Sequence, residues 1–386
     1  MPLQASRSKP GPFKNVVLAV SGNPMNTRLL ISALLLTTAA WSCAVAQDPP
    51  SSDETALSTR YSIAVIDDAT FYSGLPSHAP QVLNQVLVEP SFGVRYRDRL
   101  SFTTSLIGLT ATEADATSTL RVKETYAGIS AGDFDLTLGR KMVRWGTGYA
   151  FTAAGVLDPP RDPTNPSDRL NVNQGRDMVK ADWVHGKNAL TFAWSTAELA
   201  PANSTLRDTT AFRYNVLVHG FDTSLIAGND RGGDSFGGVT FTRVLGQAWE
   251  VHGEGFWREQ AAVLLGAKCT LRSGVTFLGE FYTPPNIPYY RDMSISPYAG
   301  RQHYAFFNVS KSRLRELPGW KEWDVSGSIV ANLDDHSFVA VTDVSRWFGT
   351  HFATYAHVEV PSGSKTSDYG SAPYQTATSV GVRFHL

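Results

Sequence analysis

Two groups of residues have types and spacing that could do chemistry. Asp334, Asp335 and His336 stand together in "LDDHS". A carboxylate beside an imidazole can orient the ring to take a proton from water. Asp67-Asp68 in "IDD" is the one acidic pair that could join them. The second group is cationic and anionic. Arg95, Arg97, Arg121, Lys123 and Lys180 each alternate with apolar neighbours, and Asp158, Arg161, Asp162, Asp168 and Arg169 crowd one proline-rich stretch. Acids and bases opposed across a narrow water-filled passage set a transverse field, which selects solutes by size and dipole. The plainer reading of both groups is a solvated hairpin and solvated loop charges.

These residues must be positioned by strands, because period-two alternation recurs along almost the whole chain. "NALTFAWST" sets Leu190, Phe192 and Trp194 on one face and Thr191, Ala193 and Ser195 on the other. "AWEVHGEGFW" sets Trp249, Val251 and Trp257 against Glu250, His252 and Glu254. A soluble sandwich buries the apolar face; a membrane barrel turns it to lipid and lines its lumen with the polar one. Three features favour the barrel. Trp183, Trp194, Trp249, Trp257, Trp323 and Trp347 lie at strand ends, as interfacial girdles require. The strands run near ten residues, the length of a tilted bilayer crossing. Long polar connections alternate with short ones. The fold expected is an all-β, transmembrane, antiparallel up-and-down barrel of roughly 16–18 strands, spanning 60–386 and beginning with "RYSIAVIDDATF".

The N-terminal region reads as an export signal. From Met25, an alternative start, Arg28 precedes the apolar run Leu29–Trp41, and Ala44-Val45-Ala46 gives a small-x-small cleavage site. Residues 1–46 form the signal, and 47–59 a periplasmic N-terminal segment. Cleavage removes Cys43 and leaves Cys269 alone, so no intrachain disulfide forms. Zinc spacing is absent, and no metal or cofactor is expected. With 34 basic and 35 acidic residues the chain has no nucleic-acid footprint.

The terminal strand "TSVGVRFHL" puts Thr378, Val380, Val382, Phe384 and Leu386 on one face. It resembles the C-terminal signal of bacterial outer-membrane barrels, with Phe384 as the aromatic two residues early. That resemblance implies an integral outer-membrane location in a Gram-negative bacterium. The partners implied are the barrel assembly machinery, outer-membrane lipid and lipopolysaccharide. "AGDFDLTLGRKMVRWG" resembles the general porins through Gly132, Phe134, Leu138, Gly139 and Arg140. In that family the third external loop follows this segment, folds into the lumen and narrows it. Here the following loop, 144–176, is also third and longest. Its text, "RWGTGYAFTAAGVLDPPRDPTNPSDR", departs from the family's, so a more distant porin-like family fits better. The porin resemblance implies a homotrimer and passive passage of small hydrophilic solutes, without enzymatic activity. A substrate-specific channel or polysaccharide exporter is the first alternative. "LDDHS" resembles the Asp-x-His part of omptin-type proteases, so a barrel hydrolase is the second. A structural barrel with a plugged lumen is the third.

Overall fold

The structure, a computed structural model, describes residues 57–386 apart from 76–78, 80, 113–115, 160, 166–168, 197–207, 232, 285–302 and 315–321. The signal region 1–46, most of 47–59, and Asp168 lie outside the described residues.

Strands follow one another in chain order. They are β1 (Leu57–Ser73), β2 (Val82–Tyr96), β3 (Leu100–Thr112), β4 (Ala116–Ala131), β5 (Phe134–Lys141) and β6 (Arg176–His185). Next come β7 (Asn188–Thr196), β8 (Thr209–Val218), β9 (Phe221–Asp230), β10 (Ser235–Leu245), β11 (Trp249–Arg258) and β12 (Gln260–Thr270). The last are β13 (Val275–Thr283), β14 (Tyr304–Lys311), β15 (Trp323–Asn332), β16 (Ser337–Phe348), β17 (Phe352–Ser362) and β18 (Thr376–His385). Each pairs antiparallel with the next, and β18 pairs with β1, so the 18-stranded sheet closes on itself. Closure satisfies the backbone of both terminal strands, which an open edge in lipid could not do. The seam extends past β18, where Leu386 and Ile63 exchange N–H···O bonds of 3.0 and 3.2 Å. The upper strand count read from the sequence is the one found. β1 begins at Leu57, three residues ahead of the expected 60.

The register fixes which side chains face out. One continuous outward row runs Phe134, Trp183, Leu190, Tyr214, Leu225 and Val239 across β5 to β10. All but Trp183 are among the exposed large apolar residues, as are Leu138, Phe307 and Ile329 on the same side of their strands. An apolar band of this extent, continuous around the sheet, is a lipid-facing belt and not a water-facing surface. A carboxylate of β1 interrupts it. Asp67 pairs across β1 with Val86 and Val382, both outward, and is itself exposed. The Asn84 amide, turned to its donating orientation, reaches Asp67 Oδ1 at 3.2 Å.

At one end, called here the turn end, most connections are tight. Gly132, Gly186, Gly220, Gly246, Gly274 and Gly349 there adopt positive φ, which a side chain would strain. The connection 312–322 breaks the expected rule of short turns at this end. At the opposite, loop end, β11 and β12 join through Glu259 alone, and 142–175 is the longest connection.

Candidate functional site

The segment 142–175 leaves β5 at the loop end and folds into the barrel. Two wall carboxylates organise its first half. Glu254 of β11 accepts backbone N–H bonds from Thr147, Gly148, Ala153 and Ala154 at 2.5, 2.9, 2.6 and 2.7 Å. Glu280 of β13 accepts those of Tyr149, Ala150 and Phe151 at 2.5, 2.9 and 3.2 Å, and contacts His252 Nε2 at 3.0 Å. Both glutamates are buried. A buried carboxylate must have its lone pairs filled, and converging backbone amides do this as an anion nest. The local sequence permits the approach. A Cβ at Gly146 would lie 2.0 Å from Thr152 Oγ1, and one at Gly148 would lie 2.3 Å from the Phe151 carbonyl.

Apolar packing adds to these bonds. Trp145, Phe151 and Leu157 are fully or nearly fully buried in a cluster with Phe236, Phe256, Leu264, Tyr304 and Phe306. Phe151 stacks on Tyr282 with ring centroids 5.0 Å apart. Each such side chain contributes about 1.5–3 kcal/mol by leaving water.

The far half of the segment grips the other side. Arg169 Nε donates to Asp68 Oδ2 of β1 at 2.9 Å, and Tyr355 of β17 donates to the same oxygen at 2.7 Å. Arg383 of β18 donates to the Arg169 carbonyl at 2.7 Å. Asn171 donates to Glu89 of β2 at 3.0 Å, and Leu170 packs against Ile66, Leu87 and Ile107. In a ring of eighteen strands β2 and β11 are diametrically opposed. One segment therefore spans the barrel interior and is fastened at both walls.

The residues singled out in the sequence divide among several positions. Lys123 faces inward at a register shift of β4 and pairs with Glu89 at 2.8 Å. Arg121 pairs in register with inward Ile107 and is exposed to the interior. Lys180 faces inward and pairs with Asp182 of its own strand. Arg95 shares the inward face of β2 near the turn end, 3.5 Å from Asp98. Arg97 is not on the wall: it lies in the β2–β3 turn with φ 46°, its guanidinium 5.4 Å from the Tyr96 ring centroid. The alternation of "GVRYRD" stops at Tyr96, where β2 ends.

Among the described loop charges, Asp158 and Arg161 turn to each other, whereas Arg169 meets Asp68 on the wall. Asp158 pairs with Arg161 at 3.0 Å and accepts the Trp145 N–H at 2.5 Å. Burial pushes the Asp158 carboxyl up from its ordinary value, against the pull of Arg161. Asp162 closes a local turn onto Thr164 N–H at 2.9 Å. Such pairing is what a segment removed from bulk water requires of its charges.

Among the aromatics, Trp194, Trp249 and Trp257 are outward and exposed. Trp183 and Trp323 share the outward registers of Phe134 and Arg346, and Phe384 shares that of Phe352. Trp347 is corrected to the inward face: it pairs with buried Ala353, which pairs with Arg383, and its neighbour Phe348 points out.

In "LDDHS" both carboxylates make contacts to neighbouring elements. Asp334 pairs with His303 at 3.0 Å, not with His336. Asp335 accepts the Asp368 N–H at 2.6 Å and so fastens the connection 363–375. Asp368 in turn accepts Tyr304 Oη at 2.7 Å. Burial, with Asp335 nearby, outweighs the hydrogen bonds from Tyr304 and Asn332 and pushes Asp368 up to about 6. The candidate acidic partners are divided: Asp67 faces out, and Asp68 is buried against Arg169.

Inward charges segregate around the ring. On β1–β8, bases (Arg60, Arg95, Arg121, Lys123, Lys141, Arg176, Lys180, Arg213) outnumber acids (Asp68, Glu89, Glu124, Asp135, Asp182). On β9–β17, acids (Asp222, Asp230, Glu250, Glu254, Glu280, Asp324, Asp343, Glu359) outnumber Arg258 and Lys268. Beneath the segment lies a cavity of about 270 Å³ lined by Arg169, Arg383, Asp324, Asp343, Trp347 and Tyr355, among others. Glu254, Glu280 and Arg383 were not singled out in the sequence as site residues, and Asp68 only as a candidate hydrolytic acid. Their one signal is an ionisable side chain in mid-strand on the polar face.

No protein-family model and no curated protein matches the sequence. The fold is similar to solved outer-membrane proteins. The crystal structure of Pseudomonas aeruginosa OccK5 (OpdH) matches at TM-score 0.57 and 8% identity, over 85% of this chain and 98% of that one. Acinetobacter baumannii OccAB4 matches at TM-score 0.58 and 7% identity with the same coverage. Pseudomonas aeruginosa OpdK, solved with vanillate, matches at TM-score 0.57 and 8% identity, also over 85% and 98%.

Proposed function

We propose that this barrel, which shares the porin architecture, is an outer-membrane channel for passive passage of small hydrophilic solutes. The observation that carries the reading is the segment 142–175, fastened to Glu254 and Glu280 on one wall and to Asp68 and Glu89 on the other. A barrel serving only as scaffold needs no such crossing. A segment held at both ends narrows a passage without fluctuating shut. The segregated wall charges add a field across that passage.

A substrate-specific channel is the second reading. It is favoured by the cavity under the segment, where Arg169 and Arg383 meet Asp324 and Asp343 beside Trp347. Such a lining sorts solutes by charge placement as well as size.

The protein is exported through its N-terminal signal and resides in the outer membrane of a Gram-negative bacterium, contacting lipid and lipopolysaccharide after insertion by the assembly machinery. The apolar belt supports membrane residence. A homotrimer is supported by Asp67 and Asn84, an acceptor and a donor on the lipid-facing side of β1 and β2. A charge there is costly in lipid, and packing against a neighbouring barrel would shield it.

Refolded protein in a planar bilayer tests the channel. Replacing 150–168 with a short Gly-Ser turn raises single-channel conductance and loosens the size limit. An unchanged conductance places the segment outside the conducting path. Saturation of the current by one solute class distinguishes the specific channel from the general one.

A further inference from the structure

Outward-facing cations near the belt differ between its two ends. At the loop end, Arg140 is neutralised by Asp177, with Nη2 to Oδ2 at 2.6 Å. At the turn end, Arg243 and Arg346 have aromatic rings as neighbours. Arg243 lies over Phe221 at 4.6 Å. Arg346 lies over Phe348 at 4.7 Å and over Trp323 at 5.5 Å.

Register places Arg346 on the lipid side. It pairs with Trp323 on β15 and Thr354 on β17, and the outward Phe338 and Phe348 share its face of β16. Among the described residues, no carboxylate or carbonyl accepts a hydrogen bond from it, and its Nε is buried without a partner.

An arginine at a membrane interface commonly extends its head towards water. Here two rings hold the guanidinium plane, and rings supply no hydrogen-bond acceptor. The guanidinium keeps its charge and a rigid fork of donors, whose geometric complement is a phosphate or carboxylate. The acceptors available at that depth of a bilayer are lipid headgroups. A zwitterionic headgroup would bring its own cation to Arg346. A net anionic headgroup would not. The turn end carries the start of β1, the end of β18 and most of the short connections, which places it on the periplasmic side if the outer-membrane reading above holds. That leaflet contains glycerophospholipid.

We propose that Arg346, held by Trp323 and Phe348, binds the phosphate of an anionic glycerophospholipid in the periplasmic leaflet. The site would anchor β15–β17 at a fixed depth in the bilayer. It rests on the outer-membrane reading and does not depend on whether the barrel conducts.

The test uses the full barrel refolded in detergent and exposed to equal amounts of phosphatidylglycerol and phosphatidylcholine. Retained lipid is counted by native mass spectrometry. The unaltered protein should retain phosphatidylglycerol in preference by about fivefold, as one interfacial cation provides. Arg346→Gln should abolish the preference, and Arg346→Lys, which keeps the charge but not the fork, should leave an intermediate one. If Arg346→Gln fails to fold, Phe348→Ala should lower the preference by removing one of the two rings. Equal retention of both lipids by the unaltered protein overturns the proposal, as does an undiminished preference in the folded variants. Displacement of phosphatidylglycerol by added lipid A would assign the arginine to the other leaflet and overturn it too. A mature chain that is stable in water without detergent would instead defeat the outer-membrane reading.

Discussion

Arg169 and Asp68 join the far end of the 142–175 segment to β1, Nε to Oδ2 at 2.9 Å, with both side chains largely withdrawn from solvent. This pair and the glutamates of β11 and β13 hold the segment from opposite sides. The predictions below separate the anchors from the barrel that carries them.

Glu254→Gln should loosen the segment while leaving the barrel intact. The amide presents an N–H to backbone N–H groups and removes an acceptor from the set made with Thr147, Gly148, Ala153 and Ala154. Hydrogen bonds to a charged group contribute about 1.5–3 kcal/mol each. Single-channel records should show higher and noisier conductance, with unchanged heat-modifiability on gels. A quiet trace at the original conductance would mean that Glu254 does not hold the constriction.

Lys123→Met should destabilise the barrel by about 3–5 kcal/mol, because Glu89 is left largely buried without its cation. Lys123→Met with Glu89→Met should recover most of that loss. Denaturant unfolding in detergent measures both. If the double variant is no more stable than the single, the cost lies in packing.

Phe384→Asp should hinder assembly. It sets a charge on the lipid face beside Val65 and Phe352, although near the rim the folded-state cost is only about 0–1 kcal/mol. Arg383→Ala should assemble normally and change conductance, since it removes the donor to the Arg169 carbonyl. Equal outer-membrane yields of the two variants would contradict the face assignment.

The connection 363–375 should be held more firmly at pH 5 than at pH 7.5. Asp368 has its folded-state value raised to about 6. The docked state therefore favours the protonated acid. Its contribution is complete below the ordinary carboxylate value of about 4 and is lost as pH rises through about 6. Hydrogen exchange of Ser367–Ser371 amides should be slower at pH 5 after correction for intrinsic rates. Asp368→Asn should remove the difference; if it persists, another group controls the connection.

The fold was legible because a barrel wall is written with period two. In "NALTFAWST" and "TSVGVRFHL" the alternation alone assigns every side chain to one face, and lipid on one side with water on the other enforces that pattern on each strand. The order and unequal lengths of the connections add the strand count and the third long loop. Alternation fails where a strand ends. Arg97 shows this by lying in a turn, whereas Trp347 keeps the alternation and shows that a strand-end position alone does not assign a face.

What the sequence by itself determined is the closed sheet, its two faces and the presence of a long segment rich in small, apolar and proline residues. Only the tertiary structure decided where that segment goes. Glu254 is about a hundred residues from Ala154, and Asp68 is as far from Arg169. No local period links them, because partners brought together by ring closure have sequence separations set by topology. A different reason hides the pairing of Asp158 with Arg161, which are only three residues apart. A charge in a loop reads as solvated until the fold withdraws it from water, and burial then obliges it to find a partner.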